Sequence, residues 1–151
     1  MIRVADGADA VTLFVMEKAA SSTALTHVFS GVPFPDDDVI SRWRLVLDDP
    51  SATVLVDEEA GEPVGYAAYG DGWLRHLGVV PGRWRAGRGR ALHDAVIRKS
   101  TADGATVSKL WVLVDNHRAL AFYASLGWKA TGQREPEVFA PYPLKMVMTR
   151  A

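Results

Sequence analysis

The sequence predicts an α/β domain, a mixed central sheet of about seven strands with four helices divided between its two faces. Three observations carry that reading. The elements run strand, two helices, three strands, helix, strand, helix, two strands. A strand–helix–strand unit from Trp73 to Asp115 supplies the parallel part of the sheet. At the handover from strand to helix inside that unit stands "VVPGRWRAGRGRAL" (Val79–Leu92), with Gly87 and Gly89 two apart among four arginines.

The elements follow in order. Ile2–Ala5 is short and β-prone. "ADAVTLFVMEKAA" reads as a helix, with Val11, Phe14, Val15 and Lys18 at helical spacing. The loop "SGVPFPDDD" delivers Asp36–Asp38 to the positive end of a second helix, which carries Ile40, Trp43, Val46 and Leu47 and stops at Pro50. Ala52–Asp57 and Val64–Gly70 form a hairpin around "EEAGEP", and Gly72–Val80 is a third strand. In the helix "RALHDAVIRKS", Leu92, Ala95 and Val96 mark the buried side. Val107–Asp115 is a continuous apolar run of the kind buried on both faces. In "NHRALAFYASLG", Ala119, Phe122, Tyr123 and Leu126 form one stripe and Gly127 a stop. "WKATGQ" and "LKMVMTR" close the sheet around the Pro-rich loop "REPEVFAPYP".

Composition narrows the function. A chain of 151 residues buries one full core without metals or disulfides. Hydrophobic residues at 48% and charged ones at 23% exclude a disordered chain. A net charge of −1 argues against nucleic-acid and anionic-membrane partners, so the arginine cluster is a local feature that suits a local anion. The absence of cysteine rules out disulfides, thiolate metal sites and a cysteine nucleophile, and is compatible with a reducing cytoplasm. "MIRVADGADAV" lacks the basic and apolar regions of a secretory signal, and no apolar run has membrane-span length. The four histidines have no metal-ligand spacing; His27, His93 and His117 read as surface residues.

Gly87 and Gly89 precede a helix whose first N–H groups have no partners of their own, so a diphosphate fits there, aided by Arg83, Arg85, Arg88 and Arg90. The same stretch also reads as a solvated basic turn. It is not a Walker loop, since no Gly-Lys-Ser/Thr follows.

"VVPGRWRAGRGRAL" resembles the acyl-CoA-binding motif of the GCN5-related N-acetyltransferase (GNAT) family, in which Val-x-Pro leads to Gln/Arg-x-x-Gly-x-Gly/Ala and a helix. Gly87 and Gly89 match the glycines, while Trp84 takes the Gln/Arg position. A second family pattern, Asn-x-x-Ala-x-x-Phe-Tyr-x-x-x-Gly-Phe, is matched by Asn116, Ala119, Phe122, Tyr123, Gly127 and Trp128, with Trp for the final Phe.

The resemblance implies two splayed parallel strands, Trp73–Val80 and Val107–Asp115, with acetyl-CoA between them. Main-chain groups around Leu77, Val79 and Val80 would hold the pantetheine, the Val79 N–H polarising the thioester carbonyl. The amides of Arg85, Ala86, Gly87, Arg88, Gly89 and Arg90 would hold the diphosphate, and Asn116, Ala119 and Phe122 would flank the cofactor. Tyr123 would protonate the departing thiolate, although its place in the stripe also makes it plain core. Asn116 serves equally as a helix cap.

The family's Glu or His base is missing, since Trp73 stands at its place. His76 is a candidate base or a structural histidine. Arg75 pairs with a substrate carboxylate or a nearby Asp, and Trp73 and Trp43 are candidate acceptor-pocket walls. Strand alternation lets only one of Arg75 and His76 face the substrate unless a bulge intervenes. A water chain could replace the base. Glu135 and Glu137 in the closing loop would attract a cationic amine or simply be solvated. The expected function is direct transfer of acetyl from acetyl-CoA to a small-molecule or peptide amine, with a homodimer allowed; the alternative is an acyl-CoA-binding sensor without turnover.

Overall fold

A computed structural model describes residues 1–151. Seven strands form one sheet: β1 Ile2–Val4, β2 Thr53–Glu59, β3 Glu62–Gly70, β4 Trp73–Val79, β5 Lys109–Leu113, β6 Lys129–Pro136 and β7 Leu144–Thr149, in the order β1-β2-β3-β4-β5-β7-β6. The helices are α1 Ala10–Ala24, α2 Asp36–Asp48, α3 Arg88–Ala102 and α4 His117–Ser125. Only β4 and β5 are parallel. Their ladder holds at Trp73–Lys109 and Leu74–Leu110 and no further, so the two strands part from Arg75 onward.

Two cores flank the sheet. Leu92, Ala95 and Val96 of α3 and Tyr123 of α4 pack with Leu55, Ala67, Leu74, Leu110 and Val112 on one face. Leu13 and Met16 of α1 and Val39 and Trp43 of α2 pack with Val54, Val56, Tyr66 and Ala68 on the other. Trp43 is fully buried, so at about 3–5 kcal/mol for a large aromatic removed from a core it is a main anchor of α2.

Four readings of the sequence are corrected. The buried side of α1 is Ala10, Leu13 and Met16, while Val11 and Val15 are exposed; a helix apolar on most sides gives periodicity little to choose by. Strand β5 is buried on one face only: Leu110 and Val112 are inside, whereas Lys109 is exposed and Trp111 half-buried. Trp111 stacks on Trp73 at 6.2 Å, and Lys145 lies 4.7 Å above its ring. His93 is buried rather than on the surface, accepting a 2.9 Å hydrogen bond from Trp128 Nε1 at its Nε2. Finally, a bulge does intervene in β4. Ala68 pairs with His76 and Tyr69 with Leu74, which leaves Arg75 as the extra residue. Both Arg75 and His76 therefore turn toward α2.

Candidate active site

The parting of β4 and β5 opens a cavity of about 530 Å³. Its walls come from the C-terminal turns of α1, the end of β4, the loop into α3, and α4. Val80 N–H donates to Val64 O at 2.9 Å, so alternation aims the Val79 and Leu77 N–H groups away from β3 and into the gap that β5 has left. Leu77 and Val79 both line the cavity. Val80 does not; it packs against the α1–α2 core.

The loop turns through Arg85 (φ 63°) and Gly87 (φ 78°), and Gly87 is the N-cap of α3. That left-handed conformation is the reason for glycine at 87, because a Cβ there would meet nothing within 4 Å. At Gly89 the reason is space: a Cβ would lie 3.3 Å from Phe122 Cε1, so the residue lets α3 close onto α4. The N–H groups of Arg88, Gly89 and Arg90 lie in the first turn without intrahelical partners. Arg85, Gly87, Arg88, Gly89 and Arg90 line the cavity, and Ala86 does not.

Trp84, at the position of the motif's polar residue, donates from Nε1 to Val79 O at 2.7 Å and underlies the Arg118 guanidinium at 3.8 Å. Partial burial and the neighbouring Arg85 push Arg118 below the usual arginine range. Like charges with no carboxylate between them make a place for an anion.

From α4, Asn116, Ala119, Phe122 and Tyr123 line the opposite wall. Asn116 caps the helix, its Oδ1 accepting from Ala119 N–H at 3.2 Å. Tyr123 is 8% exposed, and burial pushes its phenol above the ordinary tyrosine range, so it stays protonated. Tyr66 of β3 reaches the cavity from the other core. It crosses β4 at its register partner Gly78, where a Cβ would come within 2.4 Å of the Tyr66 hydroxyl. Two phenols thus reach the gap, one from each side of the sheet.

Besides Val80 and Ala86, the sequence-derived candidates Trp73, Arg75 and His76 lie outside the cavity lining. Trp73 is stacked on Trp111. Arg75 is paired with Asp49 at 3.4 Å and Asp71 at 3.2 Å. His76 lies with its ring centroid 5.0 Å from that of Trp43. Burial, then the charges of Arg42 and Arg75, push its imidazole down to about 3, so it is neutral and a weak base. Glu135 and Glu137 are bound to Lys145.

A pH effect on stability follows. Both His76 and His93 are held below their ordinary value chiefly by burial. The unfolded chain then takes up protons below about pH 6.5 that the folded chain declines, so stability is full above that value and falls as the pH drops through it. A His76→Phe variant is expected to flatten the decline of melting temperature between about pH 6.5 and 5, read by thermal melts.

Reading the sequence missed Tyr66, Ser21 and Arg118, all of which line the cavity. A glycine inside the apolar strand β4 marks close approach of another group and was the signal for Tyr66. Arg118 follows the Asn116 cap by two residues, and nothing local ties it to Arg85.

This architecture, a mixed sheet parted between its two parallel strands beside a glycine-rich helix N-terminus, defines an acyltransferase-type fold. Residues 18–128 match the acetyltransferase (GNAT) family, and the chain belongs to that family. Ninety residues are 39% identical to the mycothiol acetyltransferase of Clavibacter michiganensis subsp. michiganensis (strain NCPPB 382); they span 58% of this chain and only 28% of that protein. The fold is similar to the PaiA N-acetyltransferase of Thermoplasma acidophilum, solved in complex with coenzyme A (TM-score 0.73, 14% identity, 97% of this chain and 96% of that one). It is also similar to the ribosomal-protein-alanine N-acetyltransferase of Brucella melitensis (TM-score 0.74, 22% identity, 99% and 98%). No helix is long and apolar enough to cross a membrane.

Proposed function

We propose that this chain transfers the acetyl group of acetyl-CoA directly to an amine of a small molecule or peptide. The observation that carries the reading is the cavity beside the parted end of β4, whose lining includes both the unpartnered first turn of α3 and Tyr123. Acetyl-CoA, when bound, supplies a thioester carbon open to attack and a thiolate leaving group. The residues present suit it: an anion cradle, a strand edge with free N–H groups, and an apolar wall of Ala119 and Phe122.

The Leu77 and Val79 main chain holds the pantetheine amides, and the Val79 N–H donates where negative charge develops on the carbonyl oxygen. The α3 first-turn amides take the diphosphate, while Arg85, Arg90 and Arg118 meet the outlying phosphate. Tyr123 would give its proton to the departing sulfur as the carbon–sulfur bond breaks, and the proton shed by the newly acylated nitrogen would restore the phenol, directly or through water. No carboxylate or imidazole lines the cavity, so the amine arrives uncharged or sheds its proton to water. Ser21 and Tyr66 provide hydroxyls on the acceptor side.

Thiol release from acetyl-CoA, measured against polyamines, aminoglycosides, amino acids and peptides, tests the reading. Turnover with one class supports it. Tight acetyl-CoA binding with no release across the panel favours a non-catalytic acyl-CoA-binding module, a reading that the absence of an ionisable base keeps in play. The arginine assignment has its own check. Arg118→Met and Arg85→Met are each expected to weaken CoA binding about tenfold and to lessen its salt dependence, measured by titration calorimetry.

A further inference from the structure

The five arginines around the cofactor loop divide into two sets. Arg85, Arg90 and Arg118 line the cavity with no carboxylate partner. Arg88 also borders the cavity, but its guanidinium is turned to β2: Nη1 lies 2.9 Å from Asp57 Oδ2 and Nη2 3.0 Å from Glu59 Oε1. Arg83 Nε bonds the same Glu59. Asp57 is 3% exposed and shared between two cations, Arg88 at Oδ2 and the Met1 ammonium 3.2 Å from Oδ1, so its geometry is closely held.

What surrounds the loop explains why this matters. Arg85, Ala86 and Gly87 are all exposed, and Gly87 has open space on its Cβ side. Nothing packs over this tripeptide. It is tethered at one end by Trp84 through the Val79 carbonyl, and at the other by Arg88 through two carboxylates. Arg88 is the first residue of α3, so the tether sets the direction of the unpartnered N–H groups that follow it. A planar guanidinium bridging two acids resists rotation in a way a single lysine contact would not.

We propose that Asp57, assisted by Glu59, is a positioning residue for coenzyme A: by gripping Arg88 it aims the α3 amides at the diphosphate, although it touches no ligand itself. This rests on the acyl-CoA reading of the cavity.

The test is calorimetric titration of the full chain with CoA, well below the melting transition. The variants are Asp57→Asn, Arg88→Met, their double, and Glu59→Gln. Misaiming the cradle is expected to raise the CoA Kd about tenfold in Asp57→Asn and in Arg88→Met. The double variant is expected to be no weaker than either single one, because both remove the same tether. Asp57→Asn combined with Arg118→Met is expected to be additive.

A Kd unchanged in the single variants, even with a lowered melting temperature, reduces the network to a stabilising contact and overturns the proposal. So does tighter binding on releasing Arg88, or full additivity of Asp57→Asn with Arg88→Met. If Asp57→Asn does not fold, Arg88→Met and the half-exposed Glu59→Gln decide, with Glu59→Gln expected to show a smaller loss in the same direction. A wild-type chain that does not bind CoA overturns the cavity reading and this proposal with it; a wild type that binds while the variants bind equally well overturns the positioning role alone.

Discussion

Replacing Tyr123 with phenylalanine is expected to lower kcat about a hundredfold while leaving the Kd for acetyl-CoA unchanged. The substitution removes one oxygen. The ring keeps its edge-on contacts with Phe122 at 5.2 Å and Trp128 at 6.0 Å, so the helix stays seated and the melting temperature moves little. What is lost is the proton for the departing sulfur. Burial holds the phenol above its ordinary range, so the donor form persists across neutral and mildly alkaline pH. The wild-type rate should therefore rise with pH as the acceptor amine loses its proton, with no early fall from ionisation of Tyr123. Thiol-release kinetics on both proteins check this. Equal kcat values would return Tyr123 to the core stripe and nothing more.

The second large effect is expected at Gly78. A methyl group there would stand 2.4 Å from the Tyr66 hydroxyl, 2.5 Å from Cζ and 2.7 Å from Cε1, closer than any real contact. Tyr66 is 4% exposed and meets Trp43 edge-on at 5.6 Å, so its only retreat is toward the cavity it lines. Overpacking of this kind costs about 1–3 kcal/mol, so Gly78→Ala should melt several degrees lower. The displaced phenol moves toward the open side, which is the cavity, and thiol release should fall about tenfold with it. Adding Tyr66→Phe removes only the shortest contact, so it should recover part of the stability and not all. A Gly78→Ala protein with wild-type melting and turnover would mean that the Tyr66 ring does not cross the strand there.

The elements were legible in the sequence because each signal was local. Helical spacing in Ala119–Leu126, the Asp36–Asp38 start of α2, the hairpin turn and the glycines before α3 all depend on near neighbours. The family pattern was legible for the same reason: Gly87, Gly89 and the Asn116–Trp128 run are short contiguous motifs. Register was less so. Nothing in "WLRHLGVV" announces that Arg75 is the extra residue of a bulge, because a bulge is defined by the partner strand. Side-chain fate was hardest of all. His93 read as exposed until Trp128, far along the chain, supplied its hydrogen bond.

The sequence alone therefore determined the α/β class, the order of the strands and helices, and the glycine loop from which α3 starts with unpartnered amides. It did so because backbone preference and apolar period act over a few residues. Only the tertiary structure decided which groups share the cavity. It brought Tyr66, Ser21 and Arg118 in, left Trp73, Arg75 and His76 outside, and turned Arg88 from the cavity to Asp57. Those outcomes depend on where β4 and β5 part and on how the two helical layers pack. They arise from contacts between residues far apart in the chain, which no local pattern encodes.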